Sequence, residues 1–297
     1  MTGNPETQKP KVRNRKVRTR GFWDFFYKAG IYRDGGKKQK RSGRVFFYYR
    51  KSIAVLAFLA FWQAAPLLGI ADRQFIPTLS DVLITMWGMI RSGNLHVHIA
   101  VSFQRALFGF VIASAAALPL GFVLGGWFKR FEEYLNPLMN VLSQVNPFSV
   151  FPVFILLFGI GEVAKIAIIL WVCIWPILFG TINGVKNIDP LLVKAALAMG
   201  TSKFALFWKI VLPGAAPAIF AGLKQGAGIS FFMLIAAEMI GATAGLGWLV
   251  LNSQINFQIK RLFVAVVTIA ILGLLITHAI KVVEKRVLSW KEESVVK

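Results

Sequence analysis

The chain has 297 residues, of which 56% are hydrophobic and only 16% charged, and its mean hydropathy is +0.62. A soluble domain of this length needs far more charged surface, so a soluble globular enzyme is excluded and a chain built for lipid is indicated. The net charge of +21 is concentrated: residues 1–51 hold sixteen Lys and Arg against three acids, leaving +8 for the rest, so most of the excess is one basic tail.

Within that tail, GFWDFFYKAGIY (21–32) sets Trp23, Phe25, Phe26 and Tyr27 among cations. It reads either as a helix lying on anionic headgroups or as a positively charged anchor without regular structure. No cleavable signal peptide is apparent, because the basic region is too long and the apolar run after it is long enough to stay as a span.

A helix crossing roughly 30 Å of hydrocarbon needs about 20 mostly apolar residues. Six windows meet that condition, at 53–70, 100–126, 137–160, 163–183, 217–241 and 262–283. The expected fold is therefore an all-α integral membrane protein. Basic residues beside a span mark its cytoplasmic side, which places the amino terminus inside. Six crossings then put Lys129, Arg130, Lys186, Lys194, Lys203, Lys209, Lys281, Lys285 and Arg286 on that same side. The opposite side receives the 71–98 and 242–261 connections and the turn at Gly159–Glu162, with few bases beyond Arg73, Arg91, Lys260 and Arg261.

Charges within spans come next, since one at the bilayer centre costs about 2.5–3.5 kcal/mol on insertion scales and so faces protein or water. Arg105 in the second window and Glu238 near the outer end of the fifth share a depth, and form either a structural ion pair or a solute contact. Lys224 is placed to snorkel to the cytoplasmic face. In the third window, Gln144, Asn146, Pro147, Ser149 and Pro152 combine small polar faces with a broken helix. They either line a solute pathway or kink a helix for packing, with Ser230 and Phe231 as further pathway candidates. Gly241, Gly245 and Gly247 suit a tight re-entrant turn or close packing. Cys173 is alone, and His96, His98 and His278 lack metal-site spacing, so no metal site is expected. No Walker-type phosphate loop and no Ser-His-Asp arrangement is present, so no catalytic residue is assigned.

Between the fourth and fifth windows lies VKAALAMGTSKFALFWKIVLPGAAPAIFAGL (193–223). Asp189-Pro190 is a helix start, and Ala195, Ala196, Ala198 and Gly200 form a small-residue surface. Phe204, Phe207, Trp208, Ile210 and Val211 then recur at helical spacing, with Lys203 and Lys209 beside them, until Pro213 and Gly214 are expected to stop the run. This is a helix, a glycine turn and a second helix, displayed to a cytoplasmic partner.

AALAMGTSKFALFWKIVLPGAAP resembles the signature loop of ATP-binding-cassette importer permeases, a Glu-Ala-Ala, three residues, a Gly, then about a dozen residues to Leu-Pro; Ala195, Ala196, Gly200, Leu212 and Pro213 match it. FIPTLSDVL (75–83), SFQRALFGF (102–110), NPFSVFPVFILLFGIGE (146–162) and AEMIGATAGLGWLVLNS (237–253) are similar to the subfamily importing sulfonates, taurine and nitrate. The resemblance covers about 52–290 and implies a type I importer permease domain there, with residues 291–297 a short cytoplasmic tail, moving by alternating access a small solute, an anion such as a sulfonate, taurine or nitrate. It implies a second permease chain, expected to be another copy, a cytoplasmic ATPase dimer using ATP and Mg, and an extracytoplasmic solute-binding protein in the bacterial inner membrane. No cofactor is expected on this chain, and the membrane lipids are its remaining partner. The loop, with Lys194, Ala195, Ala196, Gly200, Thr201, Ser202, Leu212 and Pro213, would dock the ATPase through a coupling helix at about 191–200. Lys194 stands where the family has Glu, and Gln144 where members often have Arg. From a different class, a membrane scaffold or nucleic-acid tether working through its basic tail remains an alternative.

Overall fold

The computed structural model describes residues 42–288, with side chains from residue 53 onward. Most of the basic tail, including 21–32, and the carboxy-terminal segment 291–297 lie outside the described residues. Two compact units divide the chain, 1–58 and 59–297. The described part of the first is the leading stretch of helix α1 (Ser42–Leu67), which begins ten residues inside the stretch read as tail; its apolar portion is Ile53–Leu67.

The second unit is helical throughout its described length. Helix α2 (Leu79–Arg91) occupies the connection expected at 71–98, and Thr78 caps it by accepting from the Asp81 amide at 3.2 Å. Helix α3 (Asn94–Phe122) runs on through a widened turn at Val123–Trp127, giving a span of 34 residues. After α4 (Lys129–Gln144) and α5 (Pro147–Phe158) comes α6 (Glu162–Lys186). The loop contains α7 (Pro190–Ala198) and α8 (Lys203–Leu206), followed by α9 (Leu212–Met239), α10 (Leu246–Ile255) and α11 (Ile259–Val287). Among the described residues, four continuous helical runs are long and apolar enough to cross a membrane: Asn94–Trp127, Glu162–Lys186, Lys203–Met239 and Ile259–Val287.

At the third predicted window the structure departs from a single helix. Helices α4 and α5 meet at 91°. The cause is Asn146-Pro147: a residue before proline is driven out of the helical region, and proline is then suited to the first turn of a new helix. Val145 is extended at ψ 126°, and Asn146 restarts the helix by accepting from the Phe148 amide at 2.9 Å. The bent pair nevertheless covers a full crossing. Glu132 in the first turn of α4 pairs with Lys186 at the last residue of α6, whereas α5 ends four residues before α6 begins. Since α6 is 25 residues and so about 37 Å long, α4 and α5 together return over its whole length.

Helix α6 is the centre, packed against α3 on one side and α9 on the other. Lipid tails are as apolar as leucine, so helices in a membrane associate by close packing, which small residues permit. A Cβ on Gly222 would lie 2.5 Å from the Pro176 carbonyl, and one on Gly184 2.8 Å from that of Ala215. Toward α3, added atoms on Gly109 and Gly121 would lie 2.5 Å from Ile169 and Thr181. The three-helix sandwich therefore has no room for side chains at these crossings.

Pro213 and Gly214 do not end the second amphipathic run of the loop. Proline normally clashes with the carbonyl one turn back, but the wide turn at Phe207–Val211 lets the backbone pass from α8 into α9, with Pro213 in the first turn of α9. The loop's second helix and the fifth span are one run, Lys203–Met239.

Candidate functional site

Three features of the second unit bear on function: a buried charge network, a polar cavity and an exposed loop. The network lies where α3, α6 and α9 meet at the end away from the loop. Arg105, nearly buried on α3, donates from Nη1 to Glu238 Oε1 at 2.8 Å and to the Ala244 carbonyl at 2.7 Å. Its Nη2 donates to Glu162 Oε1 at 2.6 Å, and Lys165, one turn along α6, reaches the same oxygen at 3.3 Å. Glu238 is fully buried and also accepts from Ser102 Oγ and from the Gly247 amide at 2.9 Å. Ser102 Oγ in turn accepts from the Leu246 amide, and His98 Nδ1 from that of Gly245.

The turn from α9 to α10 is folded onto this carboxylate. Gly245 has φ +124°, and a Cβ there would sit 2.4 Å from the Glu238 carboxyl. Gly247 is as close, a Cβ there lying 2.8 Å from that of Glu238, while Gly241 (φ +68°) packs instead against Ile160. Every hydrogen-bonding atom of Glu238 thus has a partner, which is how a buried charge is tolerated. Among the described residues, no group of three or more His, Cys, Asp or Glu side chains is placed to hold a metal.

A cavity of about 640 Å³ opens beside the α4–α5 bend, between α6 and α9. Trp171, Trp175, Phe179 and Asn183 follow one another every four residues along α6, so an aromatic ladder faces it and ends in an amide. Gln144 from the last turn of α4 and Gln225 from α9 add two more amides. Pro147 lines it as well, but Asn146 and Ser149 do not, Asn146 being committed to capping α5. Ser230 and Phe231 are not at this cavity either. Ser230 is buried and donates to the Ala227 carbonyl of its own helix, and Phe231 lines an apolar groove with Gly273.

At the opposite end from the charge network the loop closes on itself with little help. Asp189 caps α7 by accepting from the Leu191 amide at 2.8 Å. Gly200, at φ +77°, ends α7: its amide donates to Leu197, and the Thr201 amide to Ala196, which is the double closure a left-handed glycine allows. Ser202 then caps α8, accepting from the Ala205 amide at 3.3 Å. Of the small residues only Ala196 is buried, while Ala195, Ala198 and Gly200 are exposed. Leu191, Met199 and Phe204 are 70%, 79% and 76% exposed, with Leu192, Leu197 and Trp208 also half or more exposed, and Lys194, Lys203 and Lys209 stand among them.

Residues 117–289 match the family model described as "Binding-protein-dependent transport system inner membrane component". The chain belongs to this family. It is a multi-pass membrane protein and an importer permease subunit, not itself an enzyme; ATP hydrolysis in such importers belongs to a separate subunit. Among relatives, the aliphatic sulfonates transport permease protein SsuC of Bacillus subtilis is 30% identical, over 85% of this chain and 92% of its own. SsuC of Escherichia coli is 34% identical, over 79% and 89% respectively. The fold is similar to a chain of the inward-facing MetNI methionine ABC transporter, with TM-score 0.50 and 22% identity over 68% of this chain and 97% of that one.

Several residues that organise the permease escaped sequence reading. Glu162 was placed in a turn, yet it shares Arg105 with Glu238. Ser102 is an ordinary polar residue in sequence, but its hydroxyl joins Glu238 to the start of α10. The Glu132–Lys186 pair holds α4 against the end of α6. A usable signal existed for Glu132, an acid within three residues of Lys129 and Arg130 at a span boundary, but its partner lies 54 residues away.

Proposed function

We propose that two copies of this permease form the solute pathway of an importer in the bacterial inner membrane, with the amino terminus and the α7–α8 loop cytoplasmic. Residues 52–290 are its permease domain, preceded by the basic tail 1–51 and followed by 291–297. An ATPase dimer, binding ATP and Mg, seats α7 and α8, and an extracytoplasmic binding protein delivers solute at the other face. Relatives are named for aliphatic sulfonates, taurine and nitrate, which supports a small polar solute as cargo.

The observation that carries this reading is the loop. Leu191, Met199, Phe204 and Trp208 stay more than half exposed, although Trp208 leans on Phe204 and Phe207, and apolar anchors ringed by lysines are what a docked partner would bury. Lys194 supports an acidic contact on the ATPase. Because the loop's second helix is continuous with α9, a displacement of the docked loop is transmitted along Lys203–Met239 to the cavity wall at Gln225. Moving an access equilibrium from 1:99 to 99:1 takes about 5.5 kcal/mol, which needs such a rigid link.

Purification of the tagged permease from its native membrane in mild detergent tests it. A P-loop ATPase at stoichiometric amount, released by a Met199→Asp and Phe204→Asp double variant, is the expected result. No ATPase in the wild-type preparation would overturn it.

A further inference from the structure

The cavity beside the α4–α5 bend is unusual for a route taken by anions, because no Lys, Arg or His is among its lining residues. Its polar groups are carboxamides and a hydroxyl. Gln144, Asn183 and Gln225 make no side-chain hydrogen bond among the described residues, and all three are exposed toward open space. Each offers a donor and an acceptor at once. A sulfonate or nitrate offers acceptors only, so it would use the amide NH2 groups while facing three amide oxygens that repel it, and no fixed cation would offset its charge.

The apolar wall adds a second constraint. Trp171 and Trp175 meet edge to face at 5.3 Å, and Trp175 and Phe179 stack at 6.4 Å, so α6 lines the cavity with a row of aromatic side chains. Trp175 Nε1 is buried behind this wall, so the residue turns its apolar ring and not its donor to the cavity. Aromatic faces hold flat conjugated groups by stacking, with little regard for sequence of substituents.

We propose that the permease's own recognition site takes a planar, conjugated solute without net charge, whose edge carries adjacent hydrogen-bond donors and acceptors as amides, ureas and nitrogen heterocycles do. The ring lies against the aromatic row of α6, and its edge pairs with Gln144, Asn183 and Gln225. The inference rests on the permease reading and departs from the solutes in the relatives' names, because the cavity lining supplies neutral amides and no fixed cation.

Saturation-transfer NMR on the purified permease with its co-purified ATPase tests this, using three probes at equal concentration: benzamide, benzenesulfonate and methanesulfonate. Saturable transfer to benzamide is expected, with neither sulfonate competing. Gln225→Leu and Trp175→Phe should each raise the benzamide dissociation constant at least tenfold, and Gln144→Arg should make benzenesulfonate the preferred probe. Methanesulfonate bound as well as benzamide would mean an anion site and overturn the proposal; so would benzamide binding unchanged in both cavity variants, or no probe bound at all. ATPase co-purification is scored in the same samples, so failure of the solute assignment is distinguishable from failure of the permease reading.

Discussion

Arg105 and Glu238, 133 positions apart, meet at 2.8 Å across the α3–α9 contact, and each has further polar partners, so neither charge is left bare inside the membrane unit. Removing one partner of such a pair leaves a buried charge, which costs about 3–5 kcal/mol, whereas replacing both by neutral groups is tolerated better. Arg105→Met should therefore lower the melting temperature sharply in detergent. The double variant Arg105→Met with Glu238→Gln should recover a substantial part of that loss. A strictly additive double variant would show that the pair is not coupled.

The glycines on α9 should separate cleanly by face. Gly222→Leu drives a side chain into the Pro176 carbonyl and should prevent recovery of monodisperse protein. Gly228 has nothing within 4 Å of an added Cβ, so Gly228→Ala should stabilise by up to about 1 kcal/mol through helix propensity. Yield and thermal melting by size-exclusion chromatography report both.

Gly200 ends α7 at φ +77° in open space, so only backbone conformation resists substitution there. Gly200→Ala should cost about 1–2 kcal/mol locally. Ser202→Ala removes the cap of α8 and should cost roughly 1 kcal/mol. Both should loosen the loop without unfolding the membrane unit, and hydrogen exchange should rise at 190–206 while α6 stays protected.

Lys194 is exposed and makes no ion pair among the described residues. Lys194→Glu should leave the melting temperature within about 0.5 kcal/mol of wild type, as surface changes do. Solute-stimulated ATPase activity of the assembled importer should nevertheless fall roughly tenfold, the equivalent of about 1.4 kcal/mol. Unchanged coupling would remove the acidic contact from the ATPase interface.

Much of the architecture is legible without coordinates, because a long apolar run has one stable answer in lipid: a helix that satisfies its own backbone. Composition placed the chain in a membrane, and Asp189-Pro190 and Gly200 marked both ends of α7 where the structure has them. Local chemistry suffices there, since caps and left-handed turns are decided by a few adjacent residues. Helices α2 and α10 were hidden in supposed connections because each is too short for the span criterion, although Thr78 and Asp81 carried a capping signal.

A shared depth pointed to Arg105 and Glu238 as one possible pair, but most relationships set by three-dimensional packing are beyond the sequence. Asn146-Pro147 announces a break, but the 91° angle, and hence the cavity that Gln144 enters, depends on how α4 and α5 return along α6. Ser230 is a pathway candidate by sequence and Gln225, five positions before it, is not; helix rotation turns Gln225 to the cavity and Ser230 into the protein. Glu162 and Ser102 carry no local mark of joining Arg105 and Glu238. Hydrophobic pattern and capping are local and periodic, and so were written in the sequence; pairing of buried charges is made between residues more than fifty positions apart, and only the packed helices bring them within 3 Å.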